Sequence, residues 1–202
     1  EELPGYAPLF QSAFGLDVST APVDEVWRAT GTALLAYVST VNSRDAPFDR
    51  WNAGDDDAIG EDAVRGFELF RGKAGCAACH SGAFFTDFRF HNVSTSPPDA
   101  EGNRPDEGRY LVSGAASDRG AFLTPTLRQV YDTGPYFHNG SQGNLRALIR
   151  FLASAAVPSD PLHDSAFDTP PTLTEGEISD LVAFLRALRA ENVDPGITPY
   201  TP

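Results

Sequence analysis

Apolar residues recur at helical spacing in several stretches of the chain, and these stretches predict amphipathic helices. Asn144 is a good N-cap for one of them, and Thr174 with Glu177 forms a capping-box pattern at the start of another. Residues 1–20 are turn-rich and aromatic, which favours irregular turns or a short helix. The predicted helices cover 22–43, 61–70, 145–155 and a segment from 174 to the Pro-Gly pair at 195–196.

The stretch 81–142 has a different pattern, because it is rich in Gly, Pro, Asn and Asp and lacks periodicity. Such a long irregular stretch is uncommon in a compact domain, so we expect it to wrap around something. Its short strand-like pieces, which would pair locally, are 84–85, 88–90 and 110–112. The chain is therefore predicted to be mostly α. Its predicted organisation is a single domain over 1–202, with a helical lead-in (1–60), a core (61–195) and a tail (196–202).

Composition and charge exclude several classes of function. The 202 residues include 15 Lys and Arg against 28 Asp and Glu, a net charge of −13, and Lys73 is the one lysine. This balance argues against binding to nucleic acid or to an anionic membrane surface. No apolar run is long enough for a membrane span. The chain contains no Met, not even at position 1, so we expect it to be a processed or excised product.

The two cysteines of the chain lie in the sequence Cys76-Ala77-Ala78-Cys79-His80, which is a C-x-x-C-H motif. This motif is the attachment signature of a c-type haem. Two thiols at this spacing reach the two vinyl groups on one edge of the porphyrin and form thioether bonds. The histidine that follows presents its imidazole to the iron as the proximal ligand. Cys76 and Cys79 are thus predicted to hold one covalent haem c, with His80 on the iron.

Three alternatives to haem are weaker. A thioredoxin-like dithiol is expected in a βαβ context, which the sequence does not show. A zinc site needs two further ligands, from His91, His138 or His163, and none lies in a ligand-spaced partner motif. A chance cluster requires that both cysteines of the chain fall there by accident. A disulfide framework is excluded by the cysteine count.

Several segments, in order, resemble the C-terminal haem domain of the bacterial dihaem cytochrome c peroxidase and MauG family. The opening Tyr6-Ala7-Pro8-Leu9-Phe10 resembles the segment that follows the first haem domain in such proteins. The resemblance covers nearly the whole chain. The other matching segments are 52–55, 76–80, 84–92, 106–109, 118–122, 124–128, 133–141, 173–177 and 181–185.

The resemblance implies a fold and a function. The fold is a class-I cytochrome c-like haem domain with long loop-rich insertions. The function is that of the electron-relay haem half of an oxidoreductase that uses hydrogen peroxide, either to accept electrons from a donor or to oxidise a partner protein. Family members carry two haems, whereas this chain has one C-x-x-C-H motif. The resemblance therefore implies a second haem-bearing chain or domain, a redox partner protein and a periplasmic location.

The sixth iron ligand departs from the family pattern. The family places a Met or a Tyr on the helix after the segment Pro-Tyr-x-His-x-Gly, and Leu152 stands at that position here. Leucine does not ligate iron. The sequence leaves two alternatives, an open or water-bound position, or a substitute ligand such as His91, His138 or His163.

Further residues have roles that the resemblance or their chemistry implies. Arg109 and Arg128 are candidates to pair with the haem propionates, and the alternative is an ordinary surface ion pair. Thr133 and Pro135 match positions whose backbone carbonyls bind Ca²⁺ in the family, and the alternative is a simple Gly-Pro turn.

Two rival functions stay open at the level of sequence. The first is a single-haem c-type electron carrier without catalytic activity. The second is a haem-based gas or peroxide sensor, which an open sixth position would permit.

Overall fold

The computed structural model describes residues 5–40, 43 and 45–190. These residues fall into two compact units, with 5–40 in the first and the rest, from 43 to 190, in the second. The segment 47–52, which the sequence analysis assigned to the lead-in, belongs to the second unit, and the single-domain organisation stays a prediction. In the described part of the chain, no helix combines the length and apolar character that crossing a membrane requires.

The first unit contains two helices, α1 (Tyr6–Phe14) and α2 (Val23–Thr40). Helix α1 ends at Gly15, whose φ of 66° is the left-handed conformation in which glycine commonly stops a helix. Asp24 and Glu25 occupy the first turn of α2, where carboxylates interact favourably with the helix dipole. The short helix predicted in 1–20 and the helix predicted over 22–43 are both confirmed, although 41 and 42 lie outside the described residues.

The second unit is built on a helix pair that consists of α4 (Glu61–Arg71) and α7 (Glu175–Ala187). The two helices cross at Gly66, where an added Cβ would lie 2.0 Å from the Asp180 carbonyl oxygen. Only glycine permits so close an approach. The capping box at Thr174 and Glu177 is present as predicted, because Thr174 Oγ1 accepts from the Glu177 N–H at 3.2 Å.

Helix α7 ends at Ala187, earlier than the predicted end at 195–196. After the helix, the backbone of Ala190 bonds to the side chain of Gln129. This side chain donates to the Ala190 carbonyl at 3.1 Å and accepts from the Ala190 N–H at 3.0 Å. These two bonds take the place of helical ones, and no local sequence pattern reveals them. Residues 191–202, including the predicted tail 196–202, lie outside the described residues.

Aromatic rings form the centre of the core between the helices. Phe184 of α7 has no exposed surface, and its ring lies 4.9 to 5.9 Å from four other rings. The sequence analysis missed the short helix α3 (Pro47–Asn52), which contributes Phe48 to this cluster. The rings in contact with Phe184 are those of Phe48, Phe67, Phe70 and Phe85.

The third predicted helix is shorter than expected. Helix α6 (Leu145–Leu152) begins at the predicted N-cap, where Asn144 Oδ1 accepts from the Ala147 N–H at 2.9 Å. It ends before 155 because the Ser154 hydroxyl donates to the Phe151 carbonyl, which closes the last turn.

Residues 81–142, called the loop region below, contain little regular structure, as predicted. Its strands are β1 (Phe90–His91) and β2 (Phe122–Leu123), an antiparallel pair in which Phe90 lies opposite Leu123. The strand predicted at 110–112 is wrong, because this segment forms the helical turn α5 (Tyr110–Ser113). The piece at 84–85 is also not a strand, since Phe85 has a positive φ of 52° that breaks the extended run.

Candidate functional site

The C-x-x-C-H motif follows directly on α4 and folds as a tight turn. Gly75, with a φ of 69°, redirects the chain after the helix, and Cys76–Ala78 form one turn of 3₁₀-helix. The His80 N–H donates to the Cys76 carbonyl at 2.9 Å, which continues the turn through the motif. Both cysteines are half-buried free thiols. The turn therefore keeps two reactive sulfur atoms and one imidazole in a single short segment.

The environment of the thiols bears on their chemistry. Burial raises the pKa of Cys76 to about 11. Burial, followed by the negative charges of Asp164 and Asp87, raises the pKa of Cys79 to about 11. A redox-active dithiol needs a lowered thiol pKa. The raised pKa values of Cys76 and Cys79 argue against such a dithiol and are compatible with thioether attachment.

The imidazole of His80 interacts with the backbone of Phe85 and, more weakly, with that of Pro125. Its Nδ1 lies 2.9 Å from the Phe85 carbonyl oxygen, and because a carbonyl only accepts, Nδ1 carries the proton. Nε2 is then the nitrogen with a free lone pair. Burial lowers the pKa of His80, so the ring is neutral at neutral pH. A neutral imidazole with Nδ1 bound to a carbonyl is the form that ligates a metal through Nε2. The residues of the motif thus fit a haem iron.

Phe85 supplies the backbone acceptor for His80, a role that the sequence did not reveal. Its side chain is buried between the rings of Phe48, Phe70 and Phe184, and its φ of 52° turns its carbonyl away from the extended path. The aromatic core therefore fixes the position of the acceptor for His80. The signal in the sequence is the Phe84-Phe85 pair, whose pattern predicts a strand.

The two arginines proposed for the propionates have different surroundings. The guanidinium of Arg109 lies 4.6 Å from the centre of the Phe90 ring, and no carboxylate among the described residues pairs with it. Arg128 forms a two-pronged ion pair with Asp49, both contacts at 2.7 Å, and also donates to the Ala83 carbonyl at 3.0 Å. Binding of propionates stays a prediction for both, and Arg109 has the freer cation.

Thr133 and Pro135 are exposed residues on either side of Gly134, beside the short helical turn Val130–Asp132. Gly134 and Pro135 line a surface cavity of about 540 Å³. Calcium at their carbonyls stays a prediction. Cys79, Asp87 and His91 form the one cluster of three or more His, Cys, Asp or Glu groups that is close enough to share an ion in the described part of the chain.

The remaining histidines occupy separate places. His91 lies between Asp87 and Asp164, and both ring nitrogens are within hydrogen-bond distance of a carboxylate. Both nitrogens of His163 are also engaged, by the Asp160 carbonyl and by Asp168.

The ring of His138 stacks on Phe122 with 3.6 Å between centroids, and its nitrogens make longer contacts. Of the three histidines, His138 therefore has the weakest contacts at its ring nitrogens. Leu152, half-buried, is the last residue of α6.

Comparisons with known proteins find relatives among MauG proteins and cytochrome c peroxidases. The methylamine utilization protein MauG of Methylorubrum extorquens is 43% identical over 190 residues, covering 94% of the chain and 50% of that protein. Cytochrome-c peroxidase IdrP1 of Denitromonas iodatirespirans is 36% identical over 216 residues, covering 92% of the chain and 54% of its own length. A crystal structure of a MauG-like protein associated with microbial copper homeostasis superposes with a TM-score of 0.67 and 27% identity, covering 77% of the chain and 54% of that structure. No protein-family model matches the chain.

The helix pair and the Cys-x-x-Cys-His turn with its oriented histidine define the class, a mostly helical cytochrome c-like domain. The chain spans about half the length of the relatives it matches. It belongs to the family of dihaem cytochrome c peroxidases and MauG proteins, and it fits the C-terminal haem half of such proteins.

Proposed function

We propose that this chain is the haem c half of a dihaem oxidoreductase that uses hydrogen peroxide, and that the second haem is carried by another chain or domain. The observation that carries the proposal is the contact of 2.9 Å between His80 Nδ1 and the Phe85 carbonyl oxygen. It leaves Nε2 as the ligating nitrogen, in the same segment as two free thiols. The relatives named MauG and cytochrome-c peroxidase support the reaction class.

The residues of the motif hold the group in place. Cys76 and Cys79 would hold the porphyrin covalently, through one thioether bond from each sulfur atom to a vinyl group. His80 would bind the iron through Nε2, while its Nδ1–H donates to the Phe85 carbonyl and would strengthen the ligand. The bound haem supplies one-electron redox chemistry.

Residues around the motif set the surroundings of the group. The buried ring of Phe85 and the aromatic core behind it exclude water on the side of His80. Arg109 forms no ion pair with a carboxylate among the described residues, so it is available to bind a haem propionate. Arg128 can bind a propionate only if its ion pair with Asp49 breaks. Calcium bound by the carbonyls of Thr133 and Pro135 is part of the same proposal, as is a periplasmic location, where haem is attached to thiols.

The first experiment is the intact mass together with the absorption spectrum of the chain purified from a periplasmic expression system. We expect one covalent haem per chain and the spectrum of a c-type haem. Replacement of both Cys76 and Cys79 by Ala is expected to abolish covalent haem. His163→Gln, a change at a histidine outside the motif, serves as the matched control and is expected to keep it. A wild-type mass without haem would refute the proposal.

The second experiment tests the role of a second haem. Peroxide turnover is measured for the chain alone and for the chain together with the co-purified haem-bearing partner. Turnover only in the presence of the partner supports a relay half that takes oxidising equivalents from the other haem and passes them to a donor or partner protein. Rapid electron exchange without turnover in any assembly indicates an electron carrier, and reversible binding of CO or NO that is coupled to a partner indicates a sensor.

The third experiment addresses the sixth iron ligand. We expect Leu152→Met to convert the haem to a low-spin form that is visible by electron paramagnetic resonance, since the family has its Met at this position. Leu148→Met, one turn earlier on α6, is the control that should leave the spin state unchanged. Equal high-spin spectra for both variants and the wild type would show that Leu152 does not face the iron.

A further inference from the structure

A histidine held between two carboxylates lies beside the attachment segment and has no part in the function proposed above. His91 Nε2 is 2.8 Å from Asp87 Oδ2, and His91 Nδ1 is 2.5 Å from Asp164 Oδ2. The three side chains are only 14 to 27% exposed. They form a compact charged group, called the carboxylate–histidine cluster below.

The hydrogen bonds of the cluster determine its charges. Asp87 Oδ1 also accepts from the Arg89 N–H at 2.9 Å, and Asp164 Oδ1 accepts from the Ala166 N–H at 2.9 Å. Burial alone would raise the pKa of both carboxyls, but these bonds and the histidine hold it below the usual value, at about 2 for Asp87. Two ionised carboxylates accept from both ring nitrogens, so His91 carries two protons and a positive charge.

The cluster is connected to the attachment segment in two ways. The Asp87 N–H donates to the Cys79 carbonyl at 2.8 Å. The Cys79 sulfur, a carboxylate oxygen of Asp87 and a ring nitrogen of His91 all lie within 4.8 Å of one another. A group bound to that sulfur therefore has a carboxylate next to its edge. The backbone of Asp164 is held beside the residue that follows His91, since the Asp164 N–H donates to the Asn92 carbonyl at 2.8 Å.

We propose that Asp87 and Asp164, held in place by His91, are positioning residues that stabilise the more positive, ferric state of the haem attached at Cys79. The inference rests on the proposed haem attachment. Half-buried charges interact over a distance of several ångströms with little screening, and a negative charge disfavours addition of an electron nearby. The cluster thus lowers the reduction potential of this haem.

Positive charges in or beside the carboxylate–histidine cluster raise the reduction potential of the haem, opposite to the effect of the carboxylates. The imidazolium of His91 offsets part of the effect of the carboxylates. Arg89 is close enough for its charge to act on both Cys79 and Asp164. Because water and salt screen a charge at the edge of the cluster, the effect of Arg89 is expected to be smaller than that of either carboxylate. The opposite sign makes Arg89 a useful test of an electrostatic origin.

The experiment is a potentiometric titration of the haem-loaded full chain at pH 6, where an imidazole with one carboxylate partner keeps its charge. Asp164→Asn removes the charge and keeps the size of the side chain, whereas Asp164→Glu keeps the charge and changes the geometry. Asp87→Asn repeats the charge removal at the second carboxylate. The matched control is Asp168→Asn, which also removes a carboxylate that contacts a histidine, His163, but lies outside the cluster.

We expect both Asn variants of the cluster to raise the ferrous-to-ferric ratio at a fixed solution potential by roughly threefold or more. Asp164→Glu and the Asp168 control are expected to stay near the wild type, and Arg89→Gln is expected to shift the ratio slightly downward. If Asp164→Glu and Asp164→Asn shift the ratio alike, the role is structural and the proposal is overturned. Unchanged ratios in both Asn variants overturn it too. Haem content, read from the absorption spectrum, separates these results from a failure of the proposed function, since a wild type without haem refutes that function first.

Discussion

The helix pair and the loop region of the second unit are stabilised by different interactions. The buried residues of α4 and α7 are all apolar or glycine. Among the described residues, the buried polar ones are Thr86, Asn92, Ser94, Ser96, Thr124 and Asp160, and all of them except Asp160 belong to the loop region. The difference follows from the backbone. A helix satisfies its own N–H and C=O groups, whereas an irregular segment needs side chains to do so when it is buried.

Asp160 connects the loop region to the segment that follows α6. Its side chain has no exposed surface, and one of its oxygens accepts from Arg104 Nη2 at 2.7 Å. The other oxygen contacts Arg104 Nη1 and accepts from the Asn92 side chain at 3.0 Å. Arg104 also donates to the Ser96 carbonyl at 2.9 Å. A single buried ion pair thus organises several turns of the loop region.

The largest expected effect comes from breaking this ion pair. Asp160→Asn leaves the guanidinium of Arg104 buried without a charged partner, so we expect a loss of about 3–5 kcal/mol in the free energy of unfolding. Urea denaturation measures the loss. Hydrogen exchange should show that amides of 92–106 lose protection before those of α7. Glu175→Gln, which breaks an exposed pair with Arg150, should cost only a small fraction of that, because water screens the pair. Similar losses for the two variants would contradict the assignment.

The next largest effect comes from the crossing of the helix pair. Gly66→Ala places a methyl group against the Asp180 backbone and 2.8 Å from Phe184 Cβ, which forces the helices apart. We expect a loss of about 2–3 kcal/mol, measured by thermal or urea denaturation. Gly176→Ala, in α7 but with no neighbour nearer than Thr174 Oγ1 at 3.9 Å, should be neutral or stabilising by up to about 1 kcal/mol. An unchanged stability of the Gly66→Ala variant would show that the helices do not cross at this glycine.

A smaller effect is expected at the start of α7. Thr174→Ala removes the hydroxyl that accepts from the Glu177 N–H, and the loss of such a cap costs about 1 kcal/mol. Thr172→Ala, two residues earlier in an exposed position, is the control and should leave the unfolding midpoint unchanged. Equal midpoints for the two variants would argue against the capping box as a source of stability.

The smallest effect concerns His163, in the segment between α6 and α7, and depends on pH. The Asp160 carbonyl, 2.6 Å from Nδ1, and then Asp168, 2.9 Å from Nε2, raise the pKa of His163 above its ordinary value. A raised pKa in the folded state stabilises the protein below about pH 6.5, and this contribution is lost as the pH rises through the folded pKa. His163→Gln should therefore cost less than about 1 kcal/mol at pH 5.5 and still less at pH 8. A cost that grows toward pH 8 would contradict this sign.

The helices show how far local sequence patterns reach. Periodicity and capping signals located α2, α4, α6 and α7, because a helix is determined by contacts three and four residues apart. The end of α7 was misplaced, since the bonds that replace its last turn come from Gln129, about 60 residues away. The strand expected at 110–112 is helical for the same reason, because its apolar residues fit either structure until distant contacts decide.

The site divides in the same way. The sequence by itself predicts Cys76, Cys79 and His80 as the attachment site, because their chemistry depends on spacing within five residues. Only the tertiary structure showed that the carbonyl of Phe85 orients His80 and that His91 lies between Asp87 and Asp164. Asp164 is 73 residues from His91 along the chain. Local spacing encodes which groups can react, whereas packing of distant segments determines which nitrogen is free and which charges lie beside it.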